Sequence, residues 1–230
     1  MRGLFVTGTD TGVGKTVLTA ALAAAMRAAG QSVSIRKPVL TGLDEPPGIW
    51  PADHVLLGEA SGEPPDTVAP LRYGPPVSPH LAAELARAPV DPARLVAEIR
   101  AAPAPVEAGD PPPTLLVEGV GGLLVPLAER FTVCDLAVEL GLEVLIAARP
   151  GLGTINHSLL TLTVAREAGL RVKAVVFTPW PSRPSAIELS NRETVERLGE
   201  VQVAVLPMIA DPDVQALAAA GEALPWREWL

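Results

Sequence analysis

A glycine-rich stretch near the N-terminus constrains the fold of this chain more than any other feature. Residues 8–16 read Gly-Thr-Asp-Thr-Gly-Val-Gly-Lys-Thr, and they follow a short apolar run from Leu4 to Val6 that predicts a buried strand. The segment from Gly14 to Ala29 contains no proline and predicts a helix, while Val33 to Ile35 predicts a second strand. These elements form a βαβ unit, in which the glycine-rich stretch joins the first strand to the helix.

The glycine-rich stretch has the composition of a phosphate-binding loop. Glycines allow successive backbone N–H groups to curl around phosphate oxygens, and the helix N-terminus adds positive potential. Lys15 would reach the outer phosphates, and the Thr16 hydroxyl would ligate Mg²⁺. Five residues separate Gly8 from Gly14, one more than in the standard P-loop, so the spacing argues against an ordinary Walker A loop. The alternative is a glycine-rich turn without a ligand.

The rest of the chain alternates between apolar strands and helical segments. Strands are predicted at 114–117, 143–147, 171–177 and 201–206, and helices at 52–60, 79–87, 92–101, 132–140, 154–168, 185–198 and 213–220. The proline-rich segment 103–113 is predicted to be a surface loop. We therefore expect an α/β fold, with residues 1–230 as a single domain. Its sheet would be doubly wound and mostly parallel, with helices on both faces and ligands at the carboxyl ends of the strands.

Composition excludes several classes of partner and location. The chain has 18 basic and 26 acidic residues and a pI near 4.9, so it lacks the positive field that nucleic-acid binding requires. No apolar run approaches the length of about 18 residues needed to span a membrane, and the apolar start is too short for a signal peptide. The single cysteine, Cys134, cannot close an internal disulfide. We expect a cytoplasmic protein that binds neither membranes nor nucleic acids.

Two further motifs follow predicted strands. Glu118 begins a Glu-Gly-Val-Gly-Gly segment directly after the strand at 114–117, where its carboxylate would face a Mg²⁺ held by Thr16. The alternative is a tight turn with a solvated glutamate. Lys37 ends the second strand in the segment Lys-Pro-Val-Leu-Thr-Gly and would place a second cation beside the same cleft. A surface lysine explains Lys37 alone equally well.

Taken together, these motifs resemble the dethiobiotin synthetase family. The resemblance rests on the glycine-rich loop, the Lys-Pro-Val-Leu-Thr-Gly segment and the Val-Glu-Gly-Val-Gly-Gly segment. It extends over nearly the whole chain through Asp53, the Ser-Pro-His at 78–80, the Gly-Leu-Gly-Thr-Ile-Asn-His at 151–157 and the Leu-Pro at 206–207. Each motif alone is common, and their combination is specific.

The resemblance implies a Mg-NTP-dependent cyclo-ligase of biotin biosynthesis. In this family one amine of 7,8-diaminopelargonic acid takes up CO₂ as a carbamate, the carbamate attacks the γ-phosphoryl group of the NTP, and the second amine closes the ring. By motif, Lys15, Lys37 and Thr11 would be the catalytic residues. Thr16, Asp53 and Glu118 would hold Mg²⁺, although Asp53 is read equally well as a helix N-cap. The implied nucleotide contacts are Gly12, Val13, Gly14, Lys15, Thr16, Val17, Asp53, Glu118, Gly119, Val120, Gly121, Thr178, Pro179, Pro207, Met208 and Ile209.

The implied substrate site is shared between subunits. Family members are homodimers in which the loop that matches residues 151–156 reaches the neighbouring subunit's cleft. The implied substrate contacts are Thr11, Lys37, Thr41, Gly151, Leu152, Gly153, Thr154, Ile155 and Asn156. One departure concerns the base, since many members carry an adenine-reading Asn where this chain has Thr178. The preference for ATP over other NTPs is therefore open.

A nucleotide-switch ATPase of the ParA/MinD type is the alternative from a different functional class. It shares the deviant phosphate loop, but its signature lysine would fall at position 10, where this chain has Asp10. The chain also lacks the basic amphipathic tail of a membrane-sensing member. These two features favour the synthetase.

Overall fold

The computed structural model describes residues 2–46, 48–101, 111–211 and 213–230. Ten strands are present in these ranges, and six of them form one parallel sheet. The strands are β1 (Gly3–Gly8), β2 (Val33–Arg36), β3 (Val39–Leu40), β4 (Leu71–Arg72), β5 (Thr114–Gly122), β6 (Pro126–Ala128), β7 (Phe131–Thr132), β8 (Glu143–Ala148), β9 (Val172–Trp180) and β10 (Gln202–Pro207). The order in the central sheet is β10-β9-β8-β1-β5-β2, so the strand order extends in both directions from β1.

Ten helices accompany the sheet within the same described ranges. They are α1 (Lys15–Ala28), α2 (Asp53–Ser61), α3 (Pro65–Val68), α4 (Pro79–Leu85), α5 (Pro92–Arg100), α6 (Val133–Leu140), α7 (Thr154–Glu167), α8 (Ala186–Gly199), α9 (Val214–Glu222) and α10 (Trp226–Trp229). No helix in the described part of the chain has the length and apolar character required to cross a membrane.

Hydrophobic residues pack on both faces of the sheet, because side chains alternate along each strand. On β1, Leu4 and Val6 pack with α1, α2, α9 and α10, while Phe5 packs on the opposite face with α4 to α8. All three side chains are completely buried. The strands therefore read as continuous apolar runs, which is typical of a parallel sheet covered on both sides.

The predicted mostly parallel α/β fold is confirmed, and all but one of the predicted element boundaries agree within three residues. The exception is the strand predicted at 114–117, because β5 continues to Gly122 and Glu118 lies inside it rather than after it. The short elements β3, β4, β6, β7, α3 and α10 were not predicted, because two to four residues carry no readable periodicity. Of the predicted loop at 103–113, residues 103–110 lie outside the described residues, and residues 111–113 have no regular structure. That the chain forms a single domain stays a prediction.

The strand order brings the candidate site together. β1 pairs with β5 on one side and with β8 on the other, and β2 pairs with β5. Because these strands are parallel, the segments that follow them meet at one edge of the sheet. The glycine-rich loop, Lys37, the end of β5 and Arg149 all lie at this edge.

Candidate active site

The glycine-rich segment 8–16, called the phosphate loop below, connects β1 to α1 as predicted. Gly12 and Gly14 adopt left-handed backbone angles, with φ of 70° and 90°, that residues with a Cβ rarely adopt. A Cβ atom on Gly14 would also lie 2.8 Å from Thr178 Cγ2. Glycine at position 14 is thus required both by the backbone conformation and by the close approach of β9.

Four side chains meet beside the phosphate loop in one hydrogen-bonded cluster. Lys37 donates to Glu118 Oε1 at 2.7 Å, to Thr16 Oγ1 at 3.4 Å and to the Asp53 carboxylate. Thr16 in turn donates to Glu118 Oε1 at 2.8 Å. The cluster joins α1, α2, the residue that follows β2 and the middle of β5, so these residues, which are far apart in the sequence, meet in one place.

Burial and charge act against each other on the groups of this cluster. Burial by itself lowers the pKa of the Lys37 ammonium, but Glu118 and Asp53 outweigh this effect and raise the pKa above its usual range. Burial likewise raises the pKa of the Asp53 carboxyl, and the Lys37 charge outweighs it and holds the pKa below its usual value. Lys37 is therefore a cation and Asp53 an anion near neutral pH.

The oxygen atoms of this cluster fit a magnesium ion. Mg²⁺ prefers carboxylate and hydroxyl oxygens and retains several waters. Thr16, Asp53 and Glu118 supply such oxygens around one point, where the Lys37 ammonium now contacts all three. Glu118 Oε2 is buried and has no hydrogen-bond partner among the described residues, so this oxygen is available to coordinate a cation. The donor set is that of a hard cation.

Lys15 is the first residue of α1 and lines the same cleft as the cluster. Its Nζ atom donates to the Asp10 carbonyl oxygen at 2.8 Å, and its side chain is buried. Burial lowers the pKa of Lys15 to about 8, against the raising effect of Glu118. A cation curled over the loop in this way is available to phosphate oxygens that displace the carbonyl.

A cleft of about 650 Å³ opens above the cluster. The predicted site residues that line it are Thr11, Gly12, Gly14, Lys15, Thr16, Val17, Lys37, Thr41, Asp53, Glu118, Val120 and Gly121. Val13 and Gly119 do not line it. Val13 is buried, and a Cβ atom on Gly119 would meet Val133 at 2.9 Å, inside the core.

Sequence reasoning missed one wall of this cleft. Leu43, Glu45 and Trp50 line it from the segment between β3 and α2. No pattern in the sequence marked these residues, because the segment is irregular and its position depends on the packing of β3 against β4. The only available signal was its location between Lys37 and Asp53.

The predicted base-contacting residues lie elsewhere on the same edge. Pro207, Met208 and Ile209 line a second cavity of about 380 Å³ together with the segment before α9 and one face of that helix. The Met208 N–H donates to the Trp180 carbonyl oxygen at 2.9 Å, so it is already engaged. Thr178 is 2% exposed and faces Gly14, whereas Pro179 is exposed and has no N–H.

The predicted substrate loop at 151–156 does not line the 650 Å³ cleft of the same chain. Leu152 at its tip is 98% exposed, and Asn156 is exposed as well. The base of the loop is fixed, because Asn191 donates to the carbonyl oxygens of Pro150 and Gly151 at 2.9 and 3.1 Å. The two halves of the predicted substrate site are therefore separate within one chain.

Arg149 is a residue of this edge that the sequence motifs did not identify. It directly follows β8, and its Nη2 atom donates to the Thr11 carbonyl oxygen at 3.0 Å. An exposed arginine belongs to no recognisable pattern, so the one usable signal was its position after a predicted strand.

The chain is similar over most of its length to proteins of known family. A family model described as an AAA domain matches residues 2–215. The chain is 44% identical over 209 residues to the ATP-dependent dethiobiotin synthetase BioD of Mycobacterium sp. (strain KMS), covering 89% of this chain and 87% of that protein. It is 43% identical over 211 residues to the enzyme of the same name from Anaeromyxobacter sp. (strain Fw109-5), covering 88% and 92%.

Solved structures agree at the level of the fold. The cell division ATPase MinD of Pyrococcus furiosus superposes with a TM-score of 0.54 at 18% identity, covering 99% of this chain and 92% of that one. The MinC:MinD complex of Aquifex aeolicus gives a TM-score of 0.54 at 14% identity, covering 96% and 86%. At such identities the likeness extends to the fold alone.

Proposed function

The chain belongs to the dethiobiotin synthetase family, and from this premise we propose how its cleft carries out the reaction. Its function is that of an ATP-dependent ligase in biotin biosynthesis. The substrate is 7,8-diaminopelargonic acid, and the finer reaction is a ring closure. Diamine, CO₂ and NTP give dethiobiotin, NDP and phosphate.

The proposed reaction has three steps. One amine attacks CO₂ and loses a proton, which leaves a carbamate. A carbamate oxygen then attacks the γ-phosphorus of the NTP, and the bond to the β-phosphate oxygen breaks to give a carbamic-phosphoric anhydride and NDP. Finally the second amine attacks the carbonyl carbon, and phosphate leaves with the oxygen that formed the anhydride. The protein's contribution is to align the reactants and balance their charge.

The two lysines of the cleft supply the positive charge for these steps. Lys15 would lie against the transferring phosphoryl group, and Lys37 would face the carbamate. Both are buried, and fixed cations in a water-poor site stabilise developing negative charge better than mobile ones. The hydroxyls of Thr11 and Thr41, which line the same cleft, would orient the diamine and the carbamate.

Thr16, Asp53 and Glu118 would hold Mg²⁺ through their oxygen atoms. When bound, the ion neutralises phosphate charge and polarises the γ-phosphoryl group. The chain's own contribution is to keep two carboxylates in place around Lys37, and the unpartnered Oε2 of Glu118 supports this assignment.

The nucleotide would extend from the phosphate loop toward the 380 Å³ cavity at Pro207–Ile209. Among the predicted base contacts, the Met208 N–H is engaged, Thr178 is buried and Pro207 lacks an N–H. We therefore propose that van der Waals contacts, rather than specific hydrogen bonds, hold most of the nucleotide base.

A homodimer would complete the substrate site. The loop at 151–156 projects its apolar tip, Leu152, into solvent and does not line its own cleft. Leu160 and Ile187, on helices α7 and α8, which pack against each other, are each 57% exposed. The loop from one subunit would then reach the cleft of the other. We place the assembly in the cytoplasm, where a lone buried thiol such as Cys134 stays reduced.

The single observation that carries this proposal is the Lys37 cluster beside the phosphate loop. It places a buried ammonium between carboxylates at the point where phosphoryl and carbamate oxygens would meet.

An isotope experiment tests the proposed chemistry. Freshly prepared C¹⁸O₂ is mixed with the protein, diaminopelargonic acid, Mg²⁺ and ATP, and the released phosphate is analysed by mass. One ¹⁸O in the phosphate and one in the product carbonyl are expected, since a carbamate oxygen forms the anhydride. Phosphate that carries no ¹⁸O would contradict the anhydride.

A further inference from the structure

We infer that Arg149 is a positioning residue for the phosphate loop, and that it acts through the peptide bond between Thr11 and Gly12. The inference rests on the proposed function, because it assumes that the loop binds phosphate. Arg149 lies outside all the motifs that point to the family.

The side chain of Arg149 ends at the phosphate loop. Arg149 follows β8, which pairs with β1, so it starts from the same sheet edge as the phosphate loop. Its Nη2 atom donates to the Thr11 carbonyl oxygen at 3.0 Å. A Cβ atom built on Gly12 would lie 3.8 Å from the same nitrogen. The guanidinium therefore rests against the Thr11–Gly12 peptide.

The contact from Arg149 fixes the direction in which the Gly12 N–H points. A trans peptide is planar, so its carbonyl oxygen and its N–H point in opposite directions. The carbonyl of Thr11 faces Arg149, and the N–H of Gly12 therefore points away from Arg149. Within the described residues no protein group accepts this N–H, and Gly12 lines the 650 Å³ cleft. A donor aimed in this way is available to a phosphate oxygen.

The peptide needs such a restraint because it is flanked by a permissive residue. Gly12 has a φ of 70°, and glycine exchanges easily between this and other conformations. A hydrogen bond from a charged donor is stronger than one between neutral groups, so the guanidinium favours one orientation of the peptide. It also polarises the peptide and makes the Gly12 N–H a better donor.

The backbone that carries Arg149 is itself held in place. Asn191, buried on α8, donates to the carbonyl oxygens of the next two residues, Pro150 and Gly151. Arg149 forms no ion pair with any carboxylate in the described part of the chain, so its charge is not neutralised there. An anchored backbone and a guanidinium without a carboxylate partner are what a residue needs to position a neighbouring loop.

The test compares Arg149→Met with Arg166→Met. Arg166 is a matched control, because it is also an exposed arginine that donates to a backbone carbonyl, that of Glu200 at 3.1 Å. It lies in the last turn of α7, at the opposite end of the helix from the phosphate-loop edge. The dissociation constant of ADP with Mg²⁺ is measured by calorimetry, which requires no diamine and no turnover.

We expect Arg149→Met to weaken ADP binding about five- to tenfold, the size expected for one well-placed hydrogen bond, and Arg166→Met to leave it unchanged. The deficit should persist at about 0.5 M NaCl, where a general electrostatic effect is screened. In amide NMR spectra of the wild-type protein, ADP should shift the Gly12 resonance, and this shift should shrink in Arg149→Met. If Arg149→Met does not fold, Arg149→Lys, which lacks the guanidinium, is measured in the same way.

Two results would overturn the inference while leaving the proposed function standing. One is wild-type ADP affinity in the Arg149 variant, and the other is a deficit that disappears at high salt, which would indicate a general effect of charge. Absence of ADP binding by the wild-type protein would overturn the proposed function and the inference together.

Discussion

Lys37 Nζ lies 2.7 Å from Glu118 Oε1, although the two residues are 81 positions apart in the chain. The Lys37 side chain is 5% exposed and that of Glu118 is 0% exposed, so the pair is buried. Removing one partner of such a pair leaves an isolated charge in a poorly solvated place, which is more costly than losing an exposed ion pair. This relationship links the stability of the site to its chemistry.

Replacement of Lys37 should therefore affect both stability and activity. We expect Lys37→Met to abolish turnover and to lower the free energy of unfolding by about 3–5 kcal/mol, because Glu118 is left without its counter-charge. Urea unfolding measures the change. The double variant Lys37→Met with Glu118→Gln should regain much of the stability and none of the activity. Unchanged stability in the single variant would show that the buried pair is not formed.

Replacement of Lys15 should affect activity alone. Lys15→Ala should reduce kcat at least a hundredfold, since the loss of one preorganised positive group costs about 3 kcal/mol in the transition state. The fold should persist, because glycines set the backbone of the loop. Lys173→Ala on β9 is the control, and circular dichroism checks the fold of both variants. Wild-type turnover in Lys15→Ala would contradict the phosphate-loop assignment.

The sequence predicted those parts of the site that depend on local chemistry. The glycines before Lys15 and Thr16 were readable because the turn of the loop needs them, and Glu118 was readable because it follows an apolar run, although β5 continues past it to Gly122. The burial of Thr178 was not readable, because it depends on how closely β9 approaches Gly14 in three dimensions. The contact from Arg149 to Thr11 was hidden for the same reason, since no local pattern distinguishes one exposed arginine from another.

In the fold, too, the features set by local sequence were predicted and those set by tertiary packing were not. Strands such as β1 and helices such as α1 were predicted because an apolar run bounded by glycines and an uninterrupted series of helix formers are local patterns. The wall of the cleft formed by Leu43 and Trp50 was not predicted, since it belongs to an irregular segment whose backbone is hydrogen-bonded to residues 73–75, distant in the sequence.

The metal assignment predicts a change in Mg²⁺ dependence. Glu118→Gln should raise the Mg²⁺ concentration needed for half-maximal activity at least tenfold, because a neutral amide is a poorer ligand for a hard cation. Glu84→Gln, at an exposed position on α4, is the matched control. The measurement is a Mg²⁺ titration at fixed ATP. Superimposable titrations for Glu118→Gln and the wild-type protein would argue against the metal site.

The shared-site dimer predicts complementation between two inactive variants. Lys15→Ala disables the phosphate loop of its own subunit, and Asn156→Ala disables the loop that it lends to the partner. After subunit exchange of an equal mixture, half of the dimers are mixed and each has one intact site, so about a quarter of the sites should be active. Each variant alone is the control. A mixture no more active than its components would contradict a site built from two subunits.

Nucleotide selectivity should be weak. Pro179 and Pro207 lack an N–H, the Met208 N–H is engaged and Thr178 is buried, so few of the predicted base contacts can donate a hydrogen bond to a base. Contacts that do not depend on specific hydrogen bonds discriminate little. CTP, GTP and UTP should therefore support turnover within about one or two orders of magnitude of ATP. The values of kcat/KM for the four NTPs decide this, and a preference for ATP above about a thousandfold would place an adenine reader elsewhere.

The most direct test of the whole account is product formation by the purified protein. Diaminopelargonic acid, ¹³C-bicarbonate, Mg²⁺ and ATP are incubated with the wild-type chain and, in parallel, with Lys15→Ala. Mass spectrometry follows the organic product, and a second assay follows ADP. The account predicts dethiobiotin that carries one ¹³C, formed in equal amount to ADP by the wild-type chain and nearly absent with Lys15→Ala. ADP released without a labelled product would contradict it.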